Sequence, residues 1–293
     1  GPEAIGLRSR ESGQYSPKLI VTVDDLTTTL VPPVPDNSAV DDTFSPSVTD
    51  GQVTTLSSPE ATATNKFSLM IPAYFYPGIY WSRLINLGKS GDVVIVNPND
   101  GPGSAIDPLI QGVYKQARTK NITLAGYIFT GYGKRDIKLV KNQIDRYFRW
   151  YGVTSIFLDE VSDQKSVILY YRDLYQYIKQ RRGLVIINPG ACPDELYMRI
   201  SDIVMTVETS YSNYITKTFP AWIAKYPASR FAHVIHTASL ASSTRAINMA
   251  KNRNAGYVYV TDDINPNPWD KLPSYWTQEI AQIRLINSKL TVP

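Results

Sequence analysis

Two acidic residues stand where buried strands would open on something polar. Ser155-Ile156-Phe157-Leu158 is an apolar run of strand type that ends abruptly in Asp159-Glu160. The run from Asp202 to Val207 ends in Glu208. Two more runs end in amides: Leu184 to Ile187 in Asn188, and Asp92 to Val96 in Asn97. Polar groups at the C-terminal ends of parallel strands form the floor of an active site. Two carboxylates there suit cleavage of a glycosidic bond. One protonates the leaving oxygen, and the other attacks the sugar or activates water. Asp159 and Glu208 are therefore the candidate catalytic pair. A solvated strand-end acid or a helix cap would explain Asp159 taken alone, but two such strands flanking one cleft favour the pair. Glu160 leaves the backbone in another direction from Asp159. It suits tuning of a neighbour's pKa, because like charges close together raise one of them, or substrate contact. A salt bridge to a nearby loop would explain it equally well.

Other strand ends supply candidate binding groups. The amides of Asn97 and Asn188 can donate to and accept from sugar hydroxyls, although each also precedes a proline and suits a turn. Tyr74, Tyr76, Tyr127, Tyr132, Tyr211 and Trp269 lie at or just past strand ends. Rings around such a mouth can stack on the apolar faces of sugars, or simply pack. His236 lies near the mouth and His233 deeper on the same strand. A hydrogen-bonded structural role is the simpler reading, with substrate contact the alternative for His236. Asp262 and Asp263 end the last strand and could cap a helix or hold a ligand. No His-Glu-x-x-His, His-x-His or cysteine cluster is present, so neither a metal nor a cofactor is expected. Gly131-Tyr-Gly133 is a fragment of a dinucleotide motif without its third glycine, and Gly-x-Ser-x-Gly and the P-loop are absent. Asn121-Ile-Thr123 matches a glycan acceptor but opens a strand.

The elements that must position these residues alternate strictly. Strands are expected near 67–73, 92–97, 122–128, 155–159, 184–188, 202–207, 231–236 and 255–261. Helices are expected near 79–87, from Pro108 behind an Asp107 cap, from a cap at Asp136, near 165–181, from Pro193, near 219–225, near 242–251 and from Pro273. The Asp136 helix carries Val140, Ile144 and Phe148 on one face. Eight alternating units imply parallel strands with helical crossovers. They fit an α/β fold of the (β/α)8 TIM-barrel type. A doubly wound open sheet is the alternative. Its dinucleotide form carries a glycine fingerprint after the first strand, where this chain has Tyr74-Phe-Tyr-Pro-Gly78.

The chain has 293 residues. Residues 1–65 are rich in Ser, Thr, Pro and Asp and read as an extended N-terminal segment, with Ser38 to Thr64 a linker and Lys18 to Val23 one strand able to dock. Residues 66–293 form the barrel. Gly1-Pro2 resembles a proteolytic scar, so an upstream leader would not be visible. No apolar run is long enough to span a bilayer. The lone Cys192 excludes an intramolecular disulfide and reads as a small loop residue. A net charge of +4 with the basic residues spread through helices gives no basic stripe, so no nucleic-acid partner is expected.

Seven segments, in order, carry a family resemblance: Ile71 to Gly78, Val96 to Gly103, Gly126 to Gly133, Gly152 to Glu160, Asn188-Pro-Gly190, Val207-Glu208 and Tyr259 to Asp263. Together, over about Phe67 to Ser288, they resemble the spherulin-4 family, glycoside hydrolase family 135. The resemblance implies a (β/α)8 barrel that cleaves α-1,4-linked, galactosamine-containing exopolysaccharide such as galactosaminogalactan. It implies an acidic trio in the cleft, here Asp159, Glu160 and Glu208. The expectation is a secreted or cell-surface, monomeric, endo-acting and retaining glycoside hydrolase with a polysaccharide partner, Asp159 as nucleophile and Glu208 as general acid/base, or the two roles reversed. The rival reading is a non-catalytic surface or spore-coat protein that binds polysaccharide in the same cleft. A barrel lyase or isomerase would want a Lys or His base that is not evident.

Overall fold

The structure, a computed structural model, describes residues 66–290. The expectations for Lys18 to Val23 and for the 38–64 linker lie outside those residues. Eight parallel strands follow in chain order: β1 (Ser68–Ala73), β2 (Val93–Val96), β3 (Thr123–Phe129), β4 (Ser155–Asp159), β5 (Val185–Ile187), β6 (Ile203–Ser210), β7 (Phe231–His236) and β8 (Tyr257–Val260). β1 pairs with both β2 and β8, which closes the barrel. The helices are α1 (Ile79–Leu87), α2 (Pro108–Thr119), α3 (Ile137–Arg146), α4 (Ile168–Lys179), α5 (Tyr211–Thr216), α6 (Leu240–Asn252) and α7 (Trp276–Leu290). A 3-10 turn at Glu195–Arg199 replaces a helix between β5 and β6. This is the (β/α)8 barrel expected from the alternation.

Local chemistry sets the boundaries. The Asp107 carboxylate accepts from the backbone N–H groups of Leu109 (2.9 Å) and Ile110 (3.2 Å), and Pro108 opens α2 behind it. Such a cap contributes about 1 kcal/mol. Asp136 caps α3 in the same way through Lys138. α3 buries Val140 and Ile144 completely, each contributing roughly 1.5–3 kcal/mol. It then widens into a π-helical turn at Tyr147–Tyr151. That turn seats the Tyr147 ring against β3, where its hydroxyl lies 3.0 Å from the carbonyl oxygens of both Val96 and Tyr127. Only glycine fits at Gly126, because a Cβ there would stand 2.6 Å from the Tyr147 ring.

The region between β6 and β7 differs from expectation. β6 runs on to Ser210, and α5 begins at once with Tyr211. The helix expected near 219–225 is a single 3-10 turn, Ala221–Lys225. Pro220 and Pro227 bracket it, and a residue before proline is pushed to extended backbone. Tyr226 is extended accordingly. Within β6 the register against β7 shifts between Met205 and Val207. Such a bulge bends and twists a strand, here two residues before Glu208.

Candidate active site

Asp159 is the last residue of β4, Asn188 follows the last residue of β5, and Glu208 lies near the end of β6. The Asn188 side chain joins them. Its Oδ1 accepts from the Gly190 backbone N–H (3.0 Å), which assigns Nδ2 to the acids. Nδ2 donates to Asp159 Oδ1 (2.8 Å) and to Glu208 Oε2 (2.5 Å). The facing oxygens of the two carboxylates therefore lie within two hydrogen-bond lengths of each other. Asn188 is itself fixed. Its N–H donates to the Leu158 carbonyl (2.8 Å), and its carbonyl accepts from Val161 (3.0 Å).

The other oxygen of Glu208, Oε1, accepts from the Trp269 indole N–H (3.2 Å). Trp269 is buried and meets His236 edge-on (centroids 5.9 Å apart) and Tyr259 (6.2 Å). Of the two expectations for this ring, stacking on sugar or packing, its burial fits packing. The buried ring is packed by its neighbours, and it is the indole N–H that reaches the acid. Its carbonyl accepts from the Tyr74 N–H (3.1 Å), tying the loop after β8 to the end of β1. The Tyr74 ring meets Tyr127 edge-on (5.5 Å), and Tyr127 stacks on Phe157 (6.2 Å). The Tyr127 hydroxyl hydrogen-bonds Asp159. Burial, and after it the Asp159 charge, pushes both phenols well above their ordinary range, so they remain donors.

Burial raises the Asp159 carboxyl to about 6. Hydrogen bonds from the Glu160 N–H, Tyr127 and Asn188 act against that rise, while the Glu160 charge adds to it. The turn at Glu160 is strained. This non-glycine residue has φ 49°, a left-handed conformation that costs on the order of 1 kcal/mol or more. Thr130 holds it in place. The buried Thr130 hydroxyl lies 3.0 Å from the Asp159 carbonyl and 2.8 Å from the Glu160 carbonyl. The Tyr132 N–H also donates to the Glu160 carbonyl (2.8 Å). Behind Thr130 stands the Tyr171 hydroxyl at 3.0 Å, which accepts from the Ser162 N–H (2.9 Å). Sequence reasoning missed Thr130 and Tyr171. Tyr171 lies on the inner face of α4 and carries no local signal for the strand end it supports.

Several candidates have other partners. Tyr76 is 58% exposed and donates to Asp107 (2.8 Å), the cap of α2. Asn97 is buried, and its oxygen accepts from Gly101 (2.9 Å), closing the loop after β2. Asp262 accepts from the Ser274 N–H (3.0 Å) and hydroxyl, ahead of α7. Asp263 pairs with Lys271 (2.7 Å). Tyr132, whose N–H meets the Glu160 carbonyl, is exposed, and the half-buried Tyr211 opens α5. His236 Nδ1 lies 2.8 Å from Thr237 Oγ1, behind Trp269. His233 is structural: Nδ1 lies 2.9 Å from the Tyr214 hydroxyl, the ring stacks on Phe219, and burial pushes its pKa down to about 3. Burial pushes the Cys192 thiol up to about 11. Among the described residues no three His, Cys, Asp or Glu side chains group as metal ligands, and no helix is long and apolar enough to cross a membrane.

The profile of spherulation-specific family 4 matches residues 68–283. The chain belongs to this family. Spherulin-4 of Physarum polycephalum is 33% identical over 243 residues, which cover 78% of this chain and 73% of that protein. Among solved structures, Aspergillus clavatus Sph3 in complex with GalNAc superposes with a TM-score of 0.65 at 22% identity, covering 74% of this chain and 97% of that one. Active domain 2 of a chitinase from Pyrococcus furiosus superposes with a TM-score of 0.50 at 9% identity, covering 78% and 97%. At such identities the likeness is one of fold. It places this spherulin-4 family member among (β/α)8 barrels that include glycoside hydrolases.

Proposed function

We propose that this protein is an endo-acting glycoside hydrolase that cleaves α-1,4-linked galactosamine and N-acetylgalactosamine exopolysaccharide by a retaining mechanism. The observation that carries the reading is the Asn188 amide shared by Asp159 and Glu208. Carboxyl groups about 5–5.5 Å apart suit direct attack and a covalent intermediate, whereas a pair about 6.5–9.5 Å apart leaves room for water. Two acids joined end to end by bonds of 2.8 and 2.5 Å favour the first arrangement.

The surroundings support a division of roles. Three donors converge on Asp159 and favour its ionised form against burial. Above about pH 6 it is a carboxylate aimed at the sugar, as a nucleophile must be. Glu208 acts as general acid, then as base. The Trp269 N–H and the Asn188 amide hold its carboxyl group in one orientation, as proton transfer in a set direction requires. Glu160 adds negative charge beside the reacting carbon, where positive charge develops. Tyr74 offers a phenol donor to a sugar hydroxyl, and the Tyr127 oxygen, whose proton goes to Asp159, can accept from one. GalNAc in the complex of the similar Sph3 barrel supports the sugar class. A polymeric extracellular substrate would place the protein outside the cell or at its surface.

The test is incubation with α-1,4-linked galactosamine and N-acetylgalactosamine oligomers, with products sized by mass spectrometry. Internal cleavage is expected. Binding without cleavage of every such oligomer would favour a non-catalytic polysaccharide-binding protein instead.

A further inference from the structure

A second concave feature lies in the outer helical layer. A groove of about 430 Å³ runs between α2 and the π-helical end of α3. Lys115, Arg118 and Arg149 line it with Gln111, Gly112 and Trp150, and no carboxylate does. None of the three cations forms an ion pair among the described residues. Three like charges gathered in one concave site give it a positive potential that favours an anion. A cleft lined by one sign of charge also concentrates the opposite one. The sequence shows no basic stripe because the charges come from two separate helices.

The groove is built as well as charged. The Arg118 guanidinium is held by the Tyr151 carbonyl. Gly152 passes beneath it, and a Cβ there would stand 3.3 Å from the guanidinium. Gln111 is fixed by donating to the Trp150 carbonyl (2.7 Å). Gly112 leaves the wall open, since a Cβ there would meet nothing within 4 Å. Arg118 is therefore preorganised, and exposed Lys115 and Arg149 can close on a ligand. Pinned guanidinium groups match the oxygens of carboxylates and sulfate esters, which they bind with two parallel hydrogen bonds. The groove does not suit base stacking. Arg146 covers the Trp150 ring at 5.1 Å and Tyr151 meets its edge, whereas single-stranded nucleic acid wants free aromatic faces.

We propose that this groove binds an acidic glycan, a polymer carrying carboxylate or sulfate groups, and so anchors the protein to an anionic matrix away from Asp159 and Glu208. The inference does not depend on the glycosidase reading, because it is tested by binding alone.

The experiment is affinity electrophoresis of the full chain through gels containing polygalacturonate, dextran sulfate or polyuridylate, at rising salt. Retention by at least one acidic glycan is expected, fading as salt screens the charges. Stronger retention by polygalacturonate would identify uronates as the preferred source, and by dextran sulfate, sulfate esters. Gly112→Glu sets a carboxylate in the open wall and suits a helix better than glycine, so the fold is secure. It should weaken retention about tenfold, and Gly112→Ala should not. Lys115→Glu with Arg149→Glu should abolish retention with an unchanged melting temperature. No retention by either glycan, retention indifferent to Gly112→Glu, or tighter retention by polyuridylate would each overturn the proposal.

Discussion

The strand ends of β4 to β6 and those of β2 and β8 carry the same kinds of residue and use them differently. At β4, β5 and β6 the side chains of Asp159, Asn188 and Glu208 turn towards one another across the barrel mouth. At β2 and β8 the side chains of Asn97 and Asp262 turn back to the N–H groups of Gly101 and Ser274. An amide or acid after an apolar run thus has two fates. It closes its own loop, or it meets a partner from another strand. The second fate requires a supporting frame. Asn188 has its own backbone bonds, the Glu160 turn has Thr130, and Glu208 has Trp269.

The largest expected effects come from breaking the meeting of side chains itself. Asp159→Asn and Glu208→Gln keep size but remove ionisation. Steady-state kinetics on a galactosamine oligomer should show losses on the order of 10³-fold with unchanged melting temperatures. An activated aryl glycoside separates the two roles. Glu208→Gln should recover on a leaving group that needs no proton, and Asp159→Asn should not.

Asn188→Ala removes the shared donor and leaves the two acids facing each other. Turnover should fall on the order of 10²-fold. Because Asn188 donates to the ionised form of Asp159, the acid limb of the pH profile should also move to higher pH.

Thr130→Val keeps shape and deletes the hydroxyl that serves two carbonyls. Unfolding in denaturant should show a loss of about 1–3 kcal/mol. Turnover should fall more than KM changes, because the strained Glu160 turn loosens beside Asp159.

Tyr127→Phe is subtler. Wild-type kcat/KM should rise through about pH 6 as Asp159 ionises. The tyrosine hydroxyl lowers that ionisation point, so its removal should move the limb upward, on the order of half a pH unit. A limb that stays in place would separate Asp159 from the titration.

The smallest effects belong to the other region. Asn97→Ala and Asp262→Asn should lower the melting temperature, since each loosens its own loop, and leave turnover within about twofold of wild type. A large loss of activity in either would end the distinction between the two kinds of strand end.

Much of the fold was legible because it rests on local signals. The Asp107-Pro108 and Asp136 caps and the apolar strand runs mark their boundaries without reference to the rest of the chain. Asp159 and Glu208 were legible for the same reason, each ending such a run. The parts that were not legible depend on contacts between distant segments. Trp269 stood out as an aromatic near a strand end, but its indole bond to Glu208 spans 61 residues. Thr130 and Tyr171 look like ordinary loop and helix residues. The shortening of the helix near 219–225 could have been read from Pro220 and Pro227. The basic groove could not, because α2 and α3 must pack before Lys115, Arg118 and Arg149 share a space.

The central claim is that Asp159 and Glu208 perform retaining hydrolysis, and the anomer released first tests it most directly. Proton NMR should follow the wild-type protein on an α-1,4-linked galactosamine oligomer before mutarotation sets in. The account predicts that the new reducing end appears first as the α anomer, and that Asp159→Asn releases none. Initial release of the β anomer, or equal release by wild type and Asp159→Asn, would contradict it.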